Sequence, residues 1–149
     1  MSVPARSRPG FTLLEMLLVV AAISILAAMS IPVYQTFQVK NDLDVAENTI
    51  AQSLRRAQTL SLAVDGDTTW GVKVQSAEIV LFKGASYGAR DSSFDETFDM
   101  PTTITPSGLG EVVFGKFSGD PQQTGTITLT TSTSEVQTLT INAKGVVDY

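Results

Sequence analysis

Carboxylates are the side chains with which this sequence could best support chemistry, since the chain contains neither histidine nor cysteine. Those absences exclude zinc sites built on Cys or His, thiol nucleophiles and a Ser-His relay. Four acids, Asp91, Asp95, Glu96 and Asp99, lie close enough in sequence to bind Ca²⁺, which prefers carboxylate oxygens. Their spacing fits no defined calcium loop. We therefore expect a solvated acidic loop, no cofactor and no catalytic centre, and calcium is the weaker alternative.

Glu15 is a different kind of carboxylate, because it lies inside the most apolar segment of the chain. No residue from Met16 to Val39 is charged. As a helix, the positions from Phe11 to Ile31 would span about 31 Å, close to the thickness of a bilayer's hydrocarbon core. Arg6 and Arg8 precede this segment, which predicts a cytoplasmic N-terminus and an exported remainder. An ionisable group inside such a segment is costly and is usually functional.

Two ordinary interpretations of the apolar segment compete. One is a signal peptide removed after the segment, for which Ala28-Met29-Ser30 is a tolerable cleavage site. The other is a signal anchor that is never cut. Neither interpretation gives Glu15 a partner.

The residues from Arg8 to Glu15 read Arg-Pro-Gly-Phe-Thr-Leu-Leu-Glu. This stretch resembles the prepilin peptidase motif of type IV pilins and type II secretion pseudopilins. The resemblance implies cleavage between Gly10 and Phe11, followed by methylation of the new Phe11 amine. It also implies that Glu15 pairs with the N-terminal amine of a neighbouring subunit.

Pro32 is the second point of resemblance, because pilins often carry a helix-disturbing proline at this distance from the cut. Proline lacks an N–H and crowds the carbonyl four residues back, which predicts a kink. The alternative is that Pro32 ends the helix. Apolar residues beyond it recur at helical spacing and predict an amphipathic half that continues to Val64: Val39, Leu43, Ala46, Ile50, Leu54 and Ala57.

The remaining sequence indicates a β-rich head, because short apolar or alternating runs are separated by turn residues. The predicted strands are Thr68–Gln75, Glu78–Lys83, Thr103–Thr105, Glu111–Phe117, Thr126–Thr131, Val136–Asn142 and Val146–Val147. We expect five to seven mostly antiparallel strands packed on the helix, and a long polar loop from Gly84 to Gly110. Phe94 and Phe98 in that loop either cover the sheet or meet a neighbouring subunit.

The predicted fold class is therefore α+β, with a long kinked N-terminal helix packed on an antiparallel sheet. The prediction divides the chain into four segments: a leader at 1–10, a transmembrane helix half at 11–37, an amphipathic helix half at 38–64 and the head at 65–149. Within the last two segments, short stretches resemble the GspH/FimT branch of minor pilins and minor pseudopilins: Arg55–Gln58, Trp70–Val72, Gly119–Pro121, Gly125–Ile127 and Gly145–Val147.

These observations predict a structural subunit of a type IV pilus or a type II secretion pseudopilus. The implied partners are other pilins, a prepilin peptidase and an inner-membrane assembly platform, with the head periplasmic or extracellular. A major pilin, or a membrane-anchored binding or adhesion module, is the alternative. Nucleic acid is an unlikely partner, because the net charge is −5 and Arg55-Arg56 is the only adjacent basic pair.

Overall fold

The computed structural model describes residues 10–148, and only the backbone at positions 29–33, 35 and 36. The chain divides into two compact units, Met1–Gln38 and Val39–Tyr149. Most of one long helix, α1 (Leu13–Leu62), lies in the first unit and the rest of it begins the second. No helix in the described part of the chain combines the length and the apolar character needed to cross a membrane.

Helix α1 continues through Pro32 without interruption. The alternative that Pro32 ends the helix is therefore wrong. In the second unit, the apolar stripe predicted from the sequence lies on the buried face, with Leu43, Ile50 and Leu54 at 4% exposure or less. The helix ends at Leu62, and Asp65–Asp67 forms a short 3-10 turn directly after it.

Eight strands follow the helix and form two antiparallel four-stranded sheets. Their bounds are β1 Trp70–Gln75, β2 Glu78–Lys83, β3 Asp91–Asp99, β4 Ile104–Gly108, β5 Glu111–Phe114, β6 Gly125–Thr131, β7 Val136–Ile141 and β8 Val147–Asp148. The first sheet has the order β3-β2-β1-β5 and the second the order β4-β6-β7-β8. The predicted α+β class is confirmed, although the prediction of five to seven strands is wrong.

A single hydrophobic core joins the helix to both sheets. Trp70, Val72 and Val74 alternate inward along β1, as their period-2 spacing predicts. Phe114 from β5 and Leu139 from β7 are fully buried in the same core. Near the C-terminal end of α1, the Ser61 hydroxyl accepts a 2.9 Å hydrogen bond from the backbone N–H of Trp70. This bond links the helix to the start of β1.

The segment expected to be an acidic loop is instead strand β3. It pairs antiparallel with β2, and Phe98 lies opposite Ile79 on the face that meets the core. Phe94 packs edge-on against Trp70, with ring centroids 6.4 Å apart. Phe98 therefore covers the sheet, whereas Phe94 contacts Trp70 but stays 46% exposed.

Candidate functional site

The residues around the expected cleavage site lie just outside the helix. Gly10, Phe11 and Thr12 have no regular secondary structure, and α1 begins at Leu13. The side chain of Phe11 is 78% exposed. The Gly10–Phe11 peptide is therefore exposed and outside the helix.

Thr12 is the N-cap of α1, a role that the sequence analysis missed. Its hydroxyl oxygen accepts a hydrogen bond from the backbone N–H of Glu15 at 3.2 Å, and its carbonyl accepts one from Met16 at the same distance. Thr12 and Glu15 have the Thr-x-x-Glu spacing of a capping box, which is the signal that could have revealed the cap. The cap fixes the first helical turn two residues after the expected cut.

Glu15 lies in that first turn, where the helix dipole favours a negative charge. Its side chain is exposed, and no salt bridge among the described residues includes it. The described residues therefore supply no charge partner for this carboxylate.

The Thr12 cap makes a prediction that can be checked at a single amide. Replacing Thr12 by valine keeps the shape of the side chain but removes the acceptor, which costs about 1 kcal/mol at an N-cap. In the detergent-solubilised protein, the Glu15 amide should then exchange its hydrogen roughly fivefold faster. Thr12→Ser keeps the hydroxyl and should exchange like the wild type; equal exchange in all three proteins would exclude the cap.

The four acids proposed for calcium are not brought together. Asp95 accepts a hydrogen bond from Arg90 at 2.7 Å, whereas Glu96 accepts one from Arg56 at 2.6 Å. Successive residues of a strand point to opposite faces, so Asp95 and Glu96 face apart on β3. No group of three acidic side chains among the described residues could hold a metal ion.

Three of the stretches that resemble the GspH/FimT branch lie at one side chain, that of Gln58. The Gln58 amide nitrogen donates to the Gly119 carbonyl and to the Lys144 carbonyl, both at 2.9 Å. These two bonds tie the helix to two loops that are far apart in sequence. Gly145 has a φ of +73° and passes directly beside Gln58, where a β-carbon would collide with the amide.

Comparison with known proteins identifies a motif at the N-terminus. Residues 5–31 match the model of the prokaryotic N-terminal methylation motif. The chain is similar to a fimbrial protein of Pseudomonas aeruginosa, with 27% identity over 107 residues, 72% of this chain and 59% of the relative. It is also similar to the type IV major fimbrial protein FimA of Dichelobacter nodosus, with 34% identity over 96 residues, 62% of this chain and 55% of the relative. No solved structure gives a significant match.

The chain combines an N-terminal methylation motif at the start of a long helix with an antiparallel β head. Its sequence is similar to those of fimbrial proteins. It spans less than two thirds of the length of the relatives that it matches. The matched motif includes Gly10, Phe11 and Glu15, and the relatives are fimbrial proteins of unspecified or major type.

Proposed function

We propose that this protein is a structural subunit of a type IV pilus or of a type II secretion pseudopilus. A prepilin peptidase would cut its precursor between Gly10 and Phe11, and the new Phe11 amine would be methylated. One observation carries the proposal. A non-helical, exposed Gly10–Phe11 peptide directly precedes a capped helix whose first turn presents Glu15 without a counter-ion among the described residues.

Cleavage supplies the counter-ion that Glu15 requires. In the precursor the Phe11 nitrogen is a neutral amide, whereas in the mature chain it is an α-amino group. Such a group titrates near pH 8 and is therefore mostly cationic at neutral pH. The amine of a neighbouring subunit then pairs with the carboxylate, so processing and assembly are coupled through one charge.

Membrane anchoring belongs to the same proposal. The uncharged run after Glu15 would hold the subunit in the inner membrane by a single pass before assembly, with its N-terminus cytoplasmic. The assembly platform and the other pilins would then draw it into a filament. A bend at Pro32 would adapt the helix to its neighbours, because proline removes one hydrogen bond from the helical ladder.

The GspH/FimT-like stretches favour a minor subunit over a major one. Gln58, in one of these stretches, donates hydrogen bonds to the carbonyl of Gly119, in a second stretch, and to that of Lys144, directly before a third. Ser61 links the end of the same helix to Trp70, which begins a fourth. A shared local architecture accounts for such a pattern better than chance similarity does. This argument supports a minor pilin or a minor pseudopilin.

Intact mass and N-terminal sequencing of the membrane-extracted protein test the proposal. The expected result is a chain that starts at Phe11 and carries one additional methyl group. An uncut chain starting at Met1 would contradict processing by a prepilin peptidase. A chain starting near Ile31 would instead identify ordinary signal-peptide removal and a released β domain.

A second candidate function is a membrane-anchored binding module. The observation that favours it is a polar cavity of about 530 Å³ beside β5, lined by Lys73, Ser86, Glu111 and Gln122 among others. Its volume lies in the range of small-molecule sites. A mature protein that remains monomeric and never copurifies with other pilins would support this function and exclude the filament subunit.

A further inference from the structure

Glu47 is a carboxylate that lies on the buried face of α1 in the second unit. It is only 8% exposed, although a glutamate is almost never buried so fully unless it is paired. No salt bridge among the described residues includes it, and no hydrogen bond to its carboxylate is found there. Neither the packing of the core nor processing at the N-terminus requires a charge at this position.

The side chains near Glu47 offer hydrogen-bond acceptors in excess of donors. Asp44 lies one helical turn before it, and the Asp44 Oδ1 accepts a hydrogen bond from the Nε2 of Gln137 on β7 at 3.0 Å. The Oε1 of Gln137 is buried and has no hydrogen-bond partner in the part of the chain that the structure describes. The contact between α1 and β7 therefore contains unsatisfied acceptors and an unpaired carboxylate.

The other charges around this part of α1 do not compensate Glu47. Strand β7 carries no charged residue. The remaining charged groups on the helix and on the two sheets are engaged elsewhere or exposed, namely the Lys40–Glu135 pair at 3.7 Å, the Arg56–Glu96 pair at 2.6 Å and Asp148 on β8. Asp44 is the charge that acts on Glu47, and it has the same sign.

Burial and the Asp44 charge both favour the protonated form of Glu47. Burial is the larger cause, and together they raise the pKa of the Glu47 carboxyl above its ordinary value. The folded state therefore binds this proton more tightly than the unfolded state does. The resulting stability appears as the pH falls through the folded pKa, and it is complete below the unfolded pKa, which is about 4.3 for glutamate.

We propose that Glu47 is a pH sensor that strengthens the attachment of α1 to the second sheet when the surroundings become acidic. Uptake of one proton removes the uncompensated charge and turns the carboxyl into a hydrogen-bond donor, in a contact that is short of donors. At neutral pH the ionised carboxylate weakens the same contact. The inference concerns the stability of the second unit, so it does not depend on filament assembly.

Urea unfolding of the detergent-solubilised full chain, followed by the fluorescence of Trp70, tests this role. At about pH 7, Glu47→Gln should unfold at a higher urea concentration than the wild type, because it keeps the shape of the side chain and removes its charge. The two midpoints should converge at about pH 4.3, where the wild-type carboxyl is protonated as well. Asp99→Asn removes one charge from an exposed position on β3, and its midpoint should stay parallel to that of the wild type.

Titration of the Glu47 carboxyl by NMR gives a second readout that does not require the glutamine variant to fold. The carboxyl signal should titrate at a higher pH in the folded chain than in the urea-unfolded chain, and Asp44→Asn should move the folded titration to lower pH. Titration at the same pH in both states would exclude the sensor. A Glu47→Gln variant that is less stable than the wild type at about pH 7, or whose midpoint difference stays constant with pH, would also overturn it.

Discussion

Glu15→Gln should leave the precursor fully cleaved but reduce its recovery in filaments roughly 30-fold. The substitution keeps the size of the side chain and removes its charge, so the amine of the neighbouring subunit loses its counter-ion. A hydrogen bond to a charged group contributes about 2 kcal/mol, which corresponds to that factor. The measurement is the amount of subunit in the sheared filament fraction relative to the amount in the membrane.

Two controls separate pairing from other effects of Glu15. Glu15→Asp keeps the charge on a shorter side chain, so its recovery in filaments should exceed that of the glutamine variant. Intact mass should show the same cleavage in both variants, because the exposed Gly10–Phe11 peptide is unchanged. If the glutamine variant enters filaments as efficiently as the wild type, the pairing mechanism is wrong.

Gly145→Ala should lower the free energy of unfolding by about 3 kcal/mol. The φ of +73° costs an alanine roughly 1–2 kcal/mol. The added β-carbon also lies 3.0 Å from the Phe114 ring and displaces the Gln58 amide, whose two hydrogen bonds contribute about 1 kcal/mol each. Trp70 is the only tryptophan and is buried in the core, so its fluorescence reports the unfolding transition.

Gly88→Ala is the matched control for this substitution. A β-carbon at Gly88 meets no atom within 4 Å, so the free energy of unfolding should change by less than about 0.5 kcal/mol. Equal stability of the two alanine variants would mean that the Gln58 contacts contribute nothing. Gln58→Ala should destabilise the protein in the same direction as Gly145→Ala but by less, because it introduces no backbone strain.

Local patterns were sufficient to predict most of the secondary structure. Trp70, Val72 and Val74 alternate clearly enough to locate β1, and the apolar spacing from Leu43 to Ala57 located the buried helix face. Strand β3 was missed because four of its nine residues are acidic. Only the alternate positions Phe94 and Phe98 hinted at a covered face. The division into two sheets depends on pairings between distant residues, which no local pattern contains.

The residues of the candidate site also differ in how far the sequence could predict them. Gly10, Phe11 and Glu15 lie close together in sequence and form a recognisable motif. The sequence alone was therefore sufficient to propose them as site residues. The contacts of Gln58 join residues 61 and 86 positions apart, and only the folded chain reveals them. Phe117 was predicted to end the strand Glu111–Phe117, but β5 ends at Phe114, and neither the exposure nor the backbone angle of Phe117 follows from its neighbours in sequence.

The position of β3 at the edge of its sheet matters when many copies of this chain lie close together. It is a nine-residue edge strand, and its outer side pairs with no other strand of the described residues. Subunits fixed in one filament or one membrane patch face each other at very high effective concentration, where bare strand edges tend to join and aggregate. Charged side chains on an edge strand disfavour its pairing with another strand, and four of the nine residues of β3 are acidic. The same acidic residues therefore protect this edge when copies of the chain are crowded.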